Sequence, residues 1–226
     1  MKIICVSTSN TISKGDSSAS VKTCHKIKEI IQNEIQPGAE IEVLPLRDYD
    51  IKPCILCGAC SENARCVYDA AFNALLSKLE TADAVFFVVP HYSPIPAKLI
   101  MIFEKINEIV YAGWLNNPEI SSPLRNKPVG IIGHGGMTED ENTLRYYHEQ
   151  LVTPVANTLK SLGFRIIGVN ADSPNGAVFG LKDEGCLQKS SNSIFPDIIQ
   201  DWEIIEARIK PLIENVIQEV EAETGG

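Results

Sequence analysis

The sequence predicts an α/β fold: a doubly wound parallel sheet of five strands, in the order 2-1-3-4-5, with helices on both faces. Three observations carry that expectation. Short apolar runs alternate five times with segments of helical period along the 226 residues. The most apolar run, Ala84 to Val89, is rich in Val and Phe, as suits a strand covered on both faces. Polar loops rich in Ser, Pro or Gly follow runs one, three and four, at the carboxyl ends where such sheets bind ligands.

The elements follow in order. Ile3 to Val6 is a buried-strand pattern, and Val21, Cys24, Ile27, Ile31 and Ile35 then repeat at helical spacing until Pro37-Gly38. Ile41 to Leu44 reads as strand two. Phe72, Leu75, Leu76 and Leu79 mark a short helix before Ala84 to Val89, and Leu99, Phe103, Ile106 and Val110 stripe the next one. Lys127-Pro128 leads into a strand at Val129 to Ile132. Leu144, Leu151, Val155, Leu159 and Leu162 predict a helix that Gly163 ends, and Arg165 to Val169 is strand five. Trp202, Ile205, Ile209, Leu212, Val216 and Val220 make a last amphipathic helix, which Pro211 is expected to kink or interrupt. The length suits one domain, 1–226, with a cysteine-rich loop at 50–68 and a long polar loop at 171–199.

Charge and cysteine usage narrow the partners. Twenty Lys and Arg against 29 Asp and Glu leave a net charge of −9, which repels nucleic-acid phosphates and anionic lipid. The N-terminus turns polar at Ser7, too early for a secretory signal core, and no apolar run approaches bilayer length. A cytoplasmic protein with no nucleic-acid or membrane partner is expected. Its seven cysteines are then mostly reduced thiols.

The loop after strand one, Ser7 to Ser20, offers hydroxyls and free N–H groups at a helix start, an anion site. It lacks both the dinucleotide glycine pattern and the P-loop ending, so a single phosphate, as in FMN, suits it. Ser17 or Ser18 simply capping the helix is the plainer alternative. The loop after strand three, Pro90 to Lys98, is stiffened by prolines and presents Tyr92, which suits a flat heterocycle or merely a surface turn. After strand four, Gly133-His134-Gly135-Gly136 lets backbone approach a ligand closely, or is a plain turn with a solvated His134.

Cys54, Cys57 and Cys60 repeat every third residue, and Cys66 follows after five intervening residues. Two consecutive Cys-x-x-Cys steps let one tight loop wrap a polynuclear iron–sulfur centre, with the fourth thiolate closing it. Structural zinc usually takes two knuckles farther apart. Free or redox-active thiols are the third reading. Cys5 and Cys24 fall on apolar stripes and read as packing residues, and Cys186 has no evident partner.

On these loops and cysteines, the chain to about Val169 resembles the NADPH-dependent FMN reductase-like branch of flavodoxin-fold proteins. The four-cysteine segment resembles that of the iron–sulfur flavoproteins. The resemblance implies that Ser9, Lys14, Ser17 and Ser18 hold the FMN phosphate, although an Arg usual in that loop is missing. It implies that Pro90, His91, Tyr92, Ser93 and Ile95 lie along the flavin and that His134, Gly135 and Gly136 border its ring. It also implies that Cys54, Cys57, Cys60 and Cys66 ligate a 4Fe-4S cluster. Asp69 matches the first of two acidic residues that often follow in such relatives, and Ala70 departs from the second.

The expected function is that of an FMN-dependent electron-transfer protein or oxidoreductase relaying electrons between FMN and the cluster. A ferredoxin-like protein or NAD(P)H is the expected donor or acceptor. The alternatives are a cluster-free NAD(P)H-dependent FMN or quinone reductase, and a non-enzymatic redox-sensing or zinc-binding module. A homodimer or tetramer is expected, with the cysteine loop near a neighbouring subunit's flavin and the 171–199 segment, bearing Phe179 and Phe195, as an assembly arm.

Overall fold

The computed structural model describes residues 1–116, 122, 124–190, 194 and 196–224. Strands β1 (Lys2–Ser7), β2 (Glu40–Pro45), β3 (Ala84–Pro90), β4 (Pro128–Thr138) and β5 (Arg165–Ile167) form a parallel sheet in the order β2-β1-β3-β4-β5. The predicted order is therefore the observed one. Helices α2 (Ala70–Thr81), α3 (Ala97–Asn116), α4 (Glu141–Tyr147) and α5 (Thr153–Ser161) cover one face, packing Phe72, Phe103, Tyr147 and Leu159 against Val85, Phe87 and Ile131. Helix α1 (Ala19–Ile30) and helix α6 (Trp202–Thr224) cover the other, setting Cys24, Ile27, Ile209 and Val216 against Ile3, Cys5 and Phe86. Alternate residues of β3 thus enter different cores, which is why that strand is apolar throughout.

Two expectations change. The 171–199 segment is not a bare polar loop: β6 (Ala177–Leu181) adds a sixth strand beside β4, and a small hairpin, β7 (Leu187–Gln188) with β8 (Asp197–Ile198), follows. The cause is a length mismatch. β4 has 11 residues, but β5 pairs only with Pro128, Val129 and Gly130, so the buried remainder needs another partner. β6 supplies it from Ile132 onward. Gly176, at φ 142°, makes the re-entry, since any Cβ there would strike the Ile131 carbonyl. Phe179 is accordingly buried inside the fold rather than carried on an exposed arm, and Phe195 lies outside the described residues.

Pro211 does not interrupt α6, which runs on as one element. The apolar stripe from Ile205 to Val220 is buried against the sheet on both sides of the proline, and that packing outweighs one lost backbone bond. At the start of α4, Asp140 is the N-cap, accepting from Thr143 N at 2.8 Å. Glu139 instead bonds Arg208 at 2.7 Å. Among the described residues no helix is long and apolar enough to cross a membrane.

Candidate functional site: a strand-end pocket and a cysteine cavity

A cavity of about 370 Å³ opens at the carboxyl ends of β1, β3 and β4, within the range usual for small-molecule pockets. Ser9, Lys14, Ser17, Ser18, Pro90, His91, Tyr92, His134, Gly135 and Gly136 all line it. Ser93 and Ile95 do not. Tyr92 N donates to the Pro94 carbonyl at 2.8 Å, a tight turn that leaves Ser93 exposed, while Ile95 packs against the core.

The first wall is the loop ahead of α1. Ser18 is the helix N-cap, accepting from Val21 N at 3.3 Å, and Ser17 Oγ donates to the Lys14 carbonyl at 2.5 Å. Lys14 Nζ reaches Asp197 at 2.6 Å, closing the β7–β8 hairpin over the loop, and that bond holds the Asp197 carboxyl below the usual range. The loop lacks an Arg of its own, but Arg47, just after β2, donates to the Gly15 carbonyl and the Asp16 carboxylate, each at 2.6 Å. Sequence reading missed this brace because it spans 32 residues. Thr11, Ser20, Leu187, Pro196 and Ile198 also line the pocket and were missed. Thr11 and Ser20 were readable as hydroxyls of the same loop; the hairpin residues left no local signal.

The second wall hangs on hydroxyls. Tyr92 Oη lies 2.9 Å from Ser9 Oγ and 3.0 Å from Thr11 Oγ1, so the loops after β1 and β3 meet across the pocket mouth. His91 Nε2 lies 3.1 Å from Tyr146 Oη. Burial lowers the His91 pKa.

The third wall is a β-bulge. β4 pairs with β6 at His134↔Phe179 and next at Thr138↔Leu181, so the residues between leave the ladder beside the pocket. Gly135 is required by packing, because a Cβ would collide with the Tyr147 hydroxyl; at Gly136 a Cβ would meet open space. His134 is not solvated. It is buried, stacked on Phe179 at 5.1 Å, and bonded through Nε2 to Ser20 Oγ at 2.8 Å.

Burial lowers the His134 pKa from 6.5 to about 4. The unfolded chain therefore binds this proton at a pH where the folded one does not, and stability is lost as pH falls from 6.5 towards 4. The gap between those two values, at about 1.36 kcal/mol per pH unit, corresponds to about 3 kcal/mol. Urea unfolding of the ligand-free protein should show this fall, and His134→Gln should remove it. An unchanged pH slope in the variant would assign the loss to other groups.

At the other edge, Cys54, Cys57, Cys60 and Cys66 all line one cavity of about 120 Å³ against α3. It shares no lining residue with the strand-end pocket. Its loop turns through three left-handed residues, Leu56, Gly58 and Ala64. Cys66 is fixed by Asn73, which accepts from its N–H at 2.9 Å and donates to its carbonyl at 2.7 Å. Cys57 is exposed and the other three are half-buried. Burial pushes the Cys60 thiol up, with neighbouring Cys54, Cys57 and Glu108 adding to it. Among the described residues no three His, Cys, Asp or Glu side chains are drawn together closely enough to hold a metal ion. Cys5, Cys24 and Cys186 are buried elsewhere, the first two as predicted packing residues.

A flavodoxin-like sheet with a hydroxyl-lined pocket at its strand ends is the class that fold and pocket define. The chain belongs to the NADPH-dependent FMN reductase family, which matches residues 1–162. It is similar to an iron-sulfur flavoprotein of Methanocaldococcus jannaschii, 25% identical over 125 residues, covering 54% of this chain and 60% of that protein. It is also similar to an iron-sulfur flavoprotein of Methanosarcina thermophila, 29% identical over 113 residues, covering 50% of this chain and 56% of that one. The match thus spans less than two thirds of either relative. In fold it is similar to RosB, solved with a bound 8-demethyl-8-formylriboflavin-5'-phosphate, at TM-score 0.56 and 19% identity over 97% of this chain and 76% of that one.

Proposed function

We propose that this protein is a flavin-dependent oxidoreductase that holds FMN in the strand-end pocket and an iron–sulfur cluster, of the 4Fe-4S type, in the cysteine cavity. The observation that carries the two-centre reading is that four thiols spread over 13 residues face a single cavity, apart from the pocket. The donor set of the pocket fits a phosphate monoester: the hydroxyls of Ser9, Thr11, Ser17 and Ser18, the Lys14 ammonium and the α1 N-terminus converge there. Pro90, His91, Tyr92, His134, Gly135 and Gly136 line the same pocket and, in this reading, border the flavin. Lys14 shares its charge between Asp197 and the phosphate.

Four thiolates suit an iron–sulfur cluster in kind and number. The loop closes on its ligand, since neutral thiols gain little from one another and only the bound group would draw them together. FMN supplies two-electron chemistry and the cluster one-electron chemistry. The protein's own residues bind, orient and shield them. A ferredoxin-like protein or NAD(P)H fits as the exchange partner. An anaerobic visible spectrum with iron, sulfide and flavin quantitation tests the reading. One FMN with iron and sulfide supports it. FMN without iron leaves the family's simpler reductase chemistry, and absence of both overturns the reading.

The working unit we infer is a homodimer or tetramer in which the cysteine loop meets a neighbour's flavin. β2 is the outer strand, so its loop leaves from the edge of the sheet, and Ile55, Leu56, Val67 and Tyr68 stand exposed around the cavity. Sedimentation at micromolar concentration should show no dominant monomer. A monomer that reduces its cluster through its own flavin at full rate would sink the cross-subunit arrangement.

A further inference from the structure

The cysteine cavity also holds a buried charge beside the four thiols. Lys105, on the third turn of α3, is 3% exposed and is the only buried lysine among the described residues. Its Nζ donates to Asp69 Oδ2 at 2.5 Å and to Cys66 Sγ at 3.8 Å, and it lies 5.3 Å from the centre of the Phe72 ring. An ammonium has three donors. Here they meet a carboxylate, a sulfur and a ring face.

Asp69 is equally buried and fixed from the other side. It caps α2, accepting from Phe72 N at 2.8 Å, and takes a second bond from Lys52 N at 2.8 Å. Burial alone would raise its pKa, but Lys105 and these two N–H donors more than reverse that and hold the carboxyl below its ordinary range.

A buried pair that only tied α2 to α3 could be exchanged for apolar packing without loss. This one is aimed at a sulfur. Among the described residues no other cation is so placed in the cavity wall. Lys52 lines it too, but its Nζ is turned to Asp50 at 2.5 Å and its side chain is more than half exposed. Arg65 is taken by Glu80 at 2.5 Å. Glu108, one turn after Lys105, adds a further negative group to the same wall.

We propose that Lys105 is a positioning residue for thiolate ligation: its ammonium, held by Asp69, offsets the negative charge that the thiolates gather in the cavity and donates an N–H···S bond to Cys66. This rests on the four cysteines acting as one ligand set. Two consequences follow from the sign of the charge. Thiolate–metal binding is tighter with the cation than without it. A bound cluster is also easier to reduce, because the reduced form carries one more negative charge.

Cobalt(II), with its thiolate-to-metal absorption, probes the first consequence in the anaerobic full chain freed of iron. Lys105→Gln combined with Asp69→Asn removes both charges and leaves no lone buried one. The carboxamide introduced on α3 can still donate to the one that caps α2, so the link between the helices survives. FMN binding, at the separate pocket, reports that the variant is folded. The double variant should bind cobalt at least tenfold more weakly than the wild type, and Lys105→Arg should stay within threefold. In reconstituted protein the cluster potential should fall in the double variant, by about 59 mV for each tenfold by which the reduced form is weakened more than the oxidised one. Wild-type cobalt affinity in the folded double variant would reduce the pair to a strut between helices and overturn the proposal. A wild type showing no thiolate–cobalt bands would overturn it together with the shared ligand set. Normal cobalt binding with the tenfold difference, but no uptake of iron and sulfide, would support Lys105 and reject only the iron–sulfur assignment.

Discussion

Cys57→Ala should abolish the broad brown absorption of anaerobically reconstituted protein and bring iron and sulfide to background, while the resolved flavin bands remain. Cys57 is the most exposed of the four thiols and is the second in the repeat, so its removal breaks the ligand set without opening the core. The nearest left-handed residues, Leu56 and Gly58, keep their backbone. Stability should therefore change by no more than about 0.5 kcal/mol, as for an exposed site. The comparison with Cys66 is informative, since Cys66 packs partly against the core and touches Lys105, and its truncation mixes ligand loss with structural loss. Brown absorption that survives Cys57→Ala, with iron and sulfide at wild-type ratio, would remove this thiol from the ligand set.

Much of the architecture was legible because each strand writes its burial into its own residues. Ala84 to Val89 is apolar throughout because its alternate side chains enter two different cores. The pocket was legible for a related reason: the residues at the ends of β1, β3 and β4 are local in sequence, and parallel topology alone brings those ends together. What escaped was non-local. β6 is only five residues long, and its place follows from the part of β4 that β5 leaves uncovered. Arg47 and Asp197 reach the first loop from 32 and 183 residues away in sequence. Lys105 looked like one more polar residue on a helix, because its partners, Asp69 and Cys66, lie 36 and 39 residues before it. Ser93 and Ile95 were placed by neighbourhood with Tyr92, and the turn closed by Pro94 separates them from it.

Replacing Ser17 and Ser18 should cost FMN binding about two orders of magnitude, and the design of the variant decides what that loss means. Each hydroxyl bonded to a charged phosphate is worth about 1.5–3 kcal/mol, so two sum to at least about 3 kcal/mol, or about a hundredfold at about 1.4 kcal/mol per decade. Ser18 has a second role, since its Oγ accepts from Val21 N and starts α1. Alanine there would also cost the helix about 1 kcal/mol, whereas glycine at an N-cap costs only a few tenths. Ser17→Ala with Ser18→Gly therefore removes both hydroxyls and keeps the cap nearly intact. Ser17 must release the Lys14 carbonyl to which it now donates at 2.5 Å, which lowers its share towards the bottom of the range. Calorimetric titration of FMN into the ligand-free protein should show the loss in the Ala/Gly variant as fully as in the double alanine. An Ala/Gly variant with wild-type affinity, beside a double alanine that is merely less stable, would leave Ser18 as a helix cap and move the phosphate towards Ser9 and Thr11.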